Sequence, residues 1–271
     1  MIHQTIPVTV PGSGSTARLT TYFQDYSTDL LASAKRPVVL ICPGGAYHFC
    51  SDREAEPIAI SMLHMGYHAA VLRYSVSPVT YPQALLQVAG AVLWLRAHAE
   101  EYHLDREKIA ICGFSAGGHL AASYGVFWHE PFVAGAWGAS QADLRPSGLV
   151  LAYPVITSGE YAHHESIHNL LGAQYDALKE KMSLEKQVSA FTPPAFIWST
   201  TADGLVPVRN SLLFYEALLE KDIPAELHIY EKGEHGLSLA TPLTAGGGTG
   251  TQAECSSWIS LVAAWLNNLF C

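Results

Sequence analysis

The chain has 271 residues, 49% hydrophobic and only 14% charged, with 15 Lys and Arg against 24 Asp and Glu for a formal net charge of −9. So apolar a composition excludes an intrinsically disordered chain and suffices for the core of one large α/β domain. The acidic balance, without any run of Lys or Arg, argues against a nucleic-acid partner, because a phosphate backbone needs clustered cations.

Taken in chain order, Thr5 to Val10 alternates, Pro11-Gly12-Ser13-Gly14 turns, and Arg18 to Phe23 returns, the pattern of a β-hairpin. Val38 to Cys42 is a short apolar run closed by Pro43-Gly44-Gly45, which reads as a strand buried on both faces. Glu54 to Met65 predicts a helix, His68 to Leu72 a strand, and Tyr81 to Tyr102 a long helix with Leu85, Val88, Val92 and Leu95 at helical spacing. Lys108 to Cys112 predicts a third buried strand, Ala116 to Phe127 a helix, and Leu149 to Tyr153 another strand. From Pro154 to Pro193 no sheet strand is expected. Two helical pieces, Ser166–Leu171 and Tyr175–Lys186, make this an insertion above the C-terminal edge of the sheet, where open α/β sheets bind ligands. Ala195 to Trp198 and Ala225 to Tyr230 predict strands on either side of a helix marked by Val208, Leu212, Tyr215 and Leu219. Ser256 to Phe270 closes the chain as a helix.

Strands alternating with helices specify an α/β class: a mostly parallel central sheet, an antiparallel N-terminal hairpin, and helices on both faces. Residues 1–271 read as a single domain with 154–193 as a cap, and the Gly- and Thr-rich loop over 237–251 is a candidate lid. No apolar stretch reaches the ~18 residues of a membrane span, and the start lacks the basic and apolar regions of a secretory signal. Five cysteines without a C-x-x-C pair read as reduced thiols, with Cys42 and Cys112 buried in strands, and a cytoplasmic setting is expected.

The decisive segment is Gly113-Phe114-Ser115-Ala116-Gly117, a G-x-S-x-G between a predicted strand and a predicted helix. A nucleophile on so sharp a turn needs small residues at minus two and plus two, and its position at a helix N-terminus favours a developing oxyanion. Serine needs a base and an orienting acid. Asp203 follows the strand at Ala195–Trp198 and His235 follows the strand at Ala225–Tyr230, in the order Ser, Asp, His and at the same sheet edge as Ser115. Taken singly, Asp203 also reads as a helix N-cap and His235 as a surface loop residue. Oxyanion donors are assigned to the backbone N–H groups of Gly45 and Ala46, in the loop after Cys42, and of Ala116.

The segments C-P-G-G-A-Y, L-R-Y-S, G-F-S-A-G-G-H-L-A, Y-P-V-I, T-A-D-G-L-V-P-V and E-H-G-L resemble small microbial α/β-hydrolase esterases of the acetyl-esterase and acetylxylan-esterase-like group, near the hormone-sensitive-lipase branch. The resemblance spans roughly residues 35 to 270. It implies the α/β-hydrolase fold, with Ser115 as nucleophile, Asp203 as acid and His235 as base. The sequence departs from the H-G-G-G form of the oxyanion loop at Pro43 and Ala46.

Tyr47, His48 and Phe49 are candidates for lining the substrate pocket, with plain packing as the alternative. His163, His164 and His168 cluster in the insertion but fit no standard zinc spacing, so no metal and no cofactor is expected. His119 is expected to pack beneath the elbow, Arg73 to form a structural ion pair and Trp198 to lie in the core. These residues imply hydrolysis of a small-molecule ester with a short, acetyl-type acyl group, and acetylated sugars by the resemblance. Rival readings are an amidase or formamidase, a serine peptidase, or a non-catalytic binding protein on the same scaffold. No membrane partner is expected, and a homodimer is compatible with the sequence.

Overall fold

The computed structural model describes residues 1–30, 35–246 and 250–271. The part of the candidate lid at 247–249 therefore lies outside the described residues. Eight strands form one sheet in the order β1-β2-β4-β3-β5-β6-β7-β8. The N-terminal hairpin is β1 (Thr5–Thr9) and β2 (Thr16–Tyr22), paired antiparallel from Thr5 with Thr20 to Thr9 with Thr16. β2 lies antiparallel to β4 (His68–Arg73), and from β4 onward the sheet is parallel through β3 (Arg36–Cys42), β5 (Leu104–Phe114), β6 (Gly148–Ala152), β7 (Ala195–Thr200) and β8 (Ala225–Tyr230).

The period-two alternation of a strand splits the core in two. Val38, Leu40, Ile109 and Ile111 face one side, against α2 (Gln83–Ala97), α3 (Ala116–Phe127) and α7 (Arg209–Leu219). Val39, Ile41, Ala110 and Cys112 face the other, against α1 (Glu56–His64) and α8 (Trp258–Phe270). α3 is buried on every side, so its small residues are steric requirements: a Cβ on Gly125 would lie 2.5 Å from Leu149 Cδ1. Arg73 pairs with Asp52 at 2.6 Å, and Trp198 is buried against Trp258, as expected of both.

Several boundaries differ from the sequence reading. The helix expected from Glu54 is split, a 3-10 turn over Asp52–Glu54 and then α1, because Ala55 sits at φ −110° and ψ −102°. The long helix starts only after Pro82 and stops at Ala97. A helix missing from the sequence reading, α4 (Pro131–Trp137), begins on a proline and ends at Gly138 with φ 59°, the usual start and stop signals in a short span. In the insertion, α5 (His164–Leu171) is present. The helix expected over 175–186 is instead α6 (Tyr175–Leu178) followed by two 3-10 turns. There Ser183 leaves helical geometry, and its Oγ accepts the Ser158 N–H at 3.1 Å.

Two buried histidines make stability depend on pH. His68 Nδ1 accepts the Gln24 N–H at 3.2 Å, and His119 bridges Tyr47 Oη and the Met182 carbonyl at 3.0 and 3.1 Å. Burial pushes both imidazoles down to about 4. Their contribution is complete above the unfolded-state value near 6.5 and is lost as pH falls toward 4, since the unfolded chain takes up protons first. At ~1.4 kcal/mol per pH unit, each accounts for about 3 kcal/mol across that window. Urea unfolding is expected to give a markedly lower free energy at pH 4.5 than at pH 7; equal values would contradict the neutral-imidazole reading.

Candidate active site

β5 delivers the chain to Ser115, which stands at φ 53° and ψ −119° before α3 begins. A non-glycine residue in this region is strained and persists only where its surroundings fix it. The surroundings do so. Ser115 N–H donates to the Ala152 carbonyl at 3.0 Å, and the Ser115 carbonyl accepts Val155 N–H and His119 N–H, each at 3.1 Å. The expected need for small neighbours is met literally: a Cβ on Gly113 would lie 2.1 Å from the Gly117 carbonyl oxygen, and one on Gly117 would lie 2.1 Å from that of Cys42.

Three distant segments meet at this turn. Ser115 Oγ lies 2.7 Å from His235 Nε2, and His235 Nδ1 lies 2.7 Å from Asp203 Oδ2. Asp203 uses its other oxygen, Oδ1, to accept the N–H groups of Leu205 and Val206, both at 2.9 Å. The carboxylate thus holds its own turn and the imidazole at once. It does not cap α7, which starts only at Arg209. His235 sits between Gly233 at φ 130° and Gly236 at φ 77°, and the Tyr153 ring packs edge-on against its imidazole at 5.1 Å.

The loop after β3 brings Gly45 and Ala46 to the same cleft as Ser115. Three successive carbonyls are engaged: Gly44 O takes Ser51 N–H at 2.9 Å, Gly45 O takes His48 N–H at 2.8 Å, and Ala46 O takes Asn169 Nδ2 at 2.9 Å. Gly44 N–H is engaged too, on Glu54 Oε2 at 2.8 Å. Among the described residues the N–H groups of Gly45 and Ala46 have no acceptor, and Ala116 opens α3, where a helix leaves its N–H unpaired. Gly45 is at φ 127°, and a Cβ there would lie 2.2 Å from the Phe49 carbonyl oxygen, so glycine is required.

The cleft has a volume of about 330 Å³, and its wall includes Phe49, Arg53, Glu54, His163, Glu165 and Leu205. Of the three pocket candidates, Phe49 is at the cleft and 56% exposed. Tyr47 is corrected: it is 2% exposed and its hydroxyl bonds His119 Nδ1 at 3.0 Å. Positive φ at Ala46 and Tyr47, 54° and 55°, turns its ring under the loop onto α3. His48 is corrected as well; it is exposed and lies outside the cleft wall. The insertion histidines do not converge: His163 bonds Ser166 Oγ at 2.8 Å, His168 stacks on Tyr175 at 3.8 Å, and His164 is exposed. Burial, and then the nearby His235, hold His163 below its ordinary value. Among the described residues no group of three metal-ligating side chains occurs, and no helix is long and apolar enough to cross a membrane.

Sequence reasoning missed Arg53, Glu54 and Tyr153. Glu54 opens a predicted helix and Tyr153 ends a predicted strand, so neither carries a sign of its place, Glu54 in the cleft wall and Tyr153 buried with its ring against His235. Only the backbone break at Ala55 and the φ of 37° at Tyr153 turn them inward.

Residues 27–218 match the BD-FAE family. The chain is 41% identical over 216 residues to a protein of Butyrivibrio fibrisolvens named endo-1,4-beta-xylanase B, covering 76% of this chain and 33% of that protein. The chain spans about a third to a half of the length of the curated relatives it matches. Among solved structures, the carboxylesterase Cest-2923 from Lactobacillus plantarum superposes with a TM-score of 0.86 at 28% identity, over 99% of this chain and 98% of that one. The acetyl ester-xyloside bifunctional hydrolase from Caldicellulosiruptor lactoaceticus superposes with a TM-score of 0.83 at 32% identity, over 98% and 96%. The chain belongs to the BD-FAE family and has the α/β-hydrolase fold of carboxylesterases.

Proposed function

We propose that the chain is a serine carboxylester hydrolase acting on short, acetyl-type esters, with acetylated sugars as its substrate class. The observation that carries this reading is the unbroken hydrogen-bonded line Ser115 Oγ, His235, Asp203, with 2.7 Å at each step. His235 Nε2 takes the proton as Ser115 Oγ bonds to the ester carbonyl carbon. The N–H groups of Gly45, Ala46 and Ala116 receive the oxyanion. The tetrahedral intermediate collapses, the C–O bond to the alcohol breaks, and His235 returns the proton to the leaving oxygen. Water repeats the sequence and frees the acid. Asp203 holds the imidazole with Nε2 toward serine and stabilises its charged form.

The substrate class rests on the cleft and on the relatives. The cleft is small, about 330 Å³, and its wall sets the polar Arg53, Glu165 and His163 beside Phe49 and Leu205, which favours a short acyl group over a long chain. Two of the relatives are named for xylan or xyloside chemistry. On p-nitrophenyl esters, kcat/KM is expected to fall by at least tenfold from acetyl to octanoyl, and a fluorophosphonate probe is expected to label Ser115. Preference for octanoyl would reject the acyl class; a missing label would reject the serine mechanism. Release of acetate from acetylated xylo-oligosaccharides, compared with aryl acetates, tests the sugar half.

A further inference from the structure

One buried acid touches the cleft from outside the Ser115–His235–Asp203 line. Glu54 is 4% exposed, and both its carboxyl oxygens accept: Oε2 takes Gly44 N–H at 2.8 Å, and Oε1 takes the Tyr153 hydroxyl at 2.6 Å. Tyr153 Oη in turn accepts Ser238 N–H at 2.9 Å, and Ser238 Oγ donates to the Arg53 carbonyl at 2.6 Å. Arg53 is covalently next to Glu54, so these bonds close a ring. The ring joins the loop after β3, the end of β6, and the loop three residues beyond His235.

A buried carboxyl is unfavourable unless its oxygens are partnered, and here the partners are the parts of the site that must keep register. Gly44 is where they crowd together: a Cβ there would lie 2.7 Å from Glu54 Oε2, 2.8 Å from the Phe114 carbonyl oxygen and 3.0 Å from Ser115 Cβ. With Gly44 N–H pinned to Glu54, the next two N–H groups, on Gly45 and Ala46, are the ones left for the cleft. At the other end, the Tyr153 ring that Glu54 anchors is the one packed on His235.

We propose that Glu54 is a positioning residue for the ester hydrolysis, fixing the oxyanion N–H groups relative to the Ser115–His235 pair through Gly44 on one side and Tyr153 on the other. The inference rests on the reading of Ser115 as nucleophile. Donors misplaced by less than an ångström lose much of their hold on an oxyanion while substrate still binds. Loss of Glu54 therefore acts on kcat rather than KM.

The test uses Glu54→Gln, Glu54→Asp, Tyr153→Phe and the Glu54→Gln/Tyr153→Phe double variant. Glu54→Gln and Tyr153→Phe are each expected to lower kcat on p-nitrophenyl acetate by about 10- to 100-fold with KM within about twofold. The double variant is expected to be no worse than about the weaker single, since both act through one ring. Glu54→Asp, one methylene short of bridging both donors, is not expected to rescue. The rate of Ser115 phosphonylation by a fluorophosphonate is expected to fall by a similar factor. In that step the Ser115 O–P bond forms, P–F breaks, fluoride leaves and His235 takes the serine proton. It requires no natural substrate, so it tests Glu54 even if wild-type protein hydrolyses no ester, a result that would sink the esterase reading instead. Folded Glu54→Gln with wild-type kcat and phosphonylation rate overturns the inference. So does a loss in which kcat per folded molecule is unchanged and only Tm falls. Should Glu54→Gln not fold, Tyr153→Phe decides by the same readouts.

Discussion

Ser115→Ala is expected to lower kcat on p-nitrophenyl acetate by about 10⁵- to 10⁶-fold while leaving the protein folded. That factor corresponds to about 7–8 kcal/mol of barrier. The chemistry gives the size: without Oγ no acyl-enzyme forms, and only binding and the oxyanion N–H groups remain to help a water attack. The fold gives the second half. Ser115 is 8% exposed, and the bonds that fix its backbone come from Ala152, Val155 and His119, not from its side chain. Alanine adds no atom to a turn where even a Cβ on Gly113 or Gly117 would collide with a carbonyl oxygen. Tm should therefore stay within a few degrees of wild type, and fluorophosphonate labelling should vanish. A Ser115→Ala protein with activity within tenfold of wild type would remove the nucleophile assignment.

The inner strands were readable because they are buried on both faces and so appear as uninterrupted apolar runs between turn residues, as at Val38–Cys42 and Ala195–Trp198, while the partly exposed edge strand Ala225–Tyr230 shows itself by period-two alternation instead. The elbow was readable because its constraint is steric and local, falling on positions two before and two after one serine. Pairing Ser115 with His235 and Asp203 needed only the order of loops along a parallel sheet, since such loops share one edge. Direction within a loop was not readable. Tyr47, His48 and Phe49 are adjacent, yet Tyr47 is buried on α3, His48 is exposed and Phe49 reaches the cleft, because the left-handed backbone at Ala46 and Tyr47 reverses the chain there. Glu54 was hidden for the opposite reason: a glutamate opening a helical run reads as solvated, and its two partners lie 10 and 99 residues away. Such contacts leave no spacing to find.

Asp203→Asn is expected to lower kcat by about 10⁴-fold, the size such a substitution has in other serine hydrolases, with little change in Tm. The two oxygens of Asp203 have separate work. Oδ1 holds the turn through Leu205 and Val206, and an asparagine carbonyl does this as well. Oδ2 faces His235 Nδ1 at 2.7 Å, where asparagine must then put its amide group. A donor there forces Nδ1 to accept, which leaves the proton on Nε2. The imidazole then faces Ser115 Oγ with a hydrogen instead of a lone pair and cannot act as base. It also loses the carboxylate that stabilises its charged form in the transition state. Asp203→Ala separates the two roles, because it removes the turn bonds as well and should lower both kcat and Tm. If Asp203→Asn kept most of its activity while Asp203→Ala lost only stability, Asp203 would be a turn residue and nothing more, and the base would need another orienting partner.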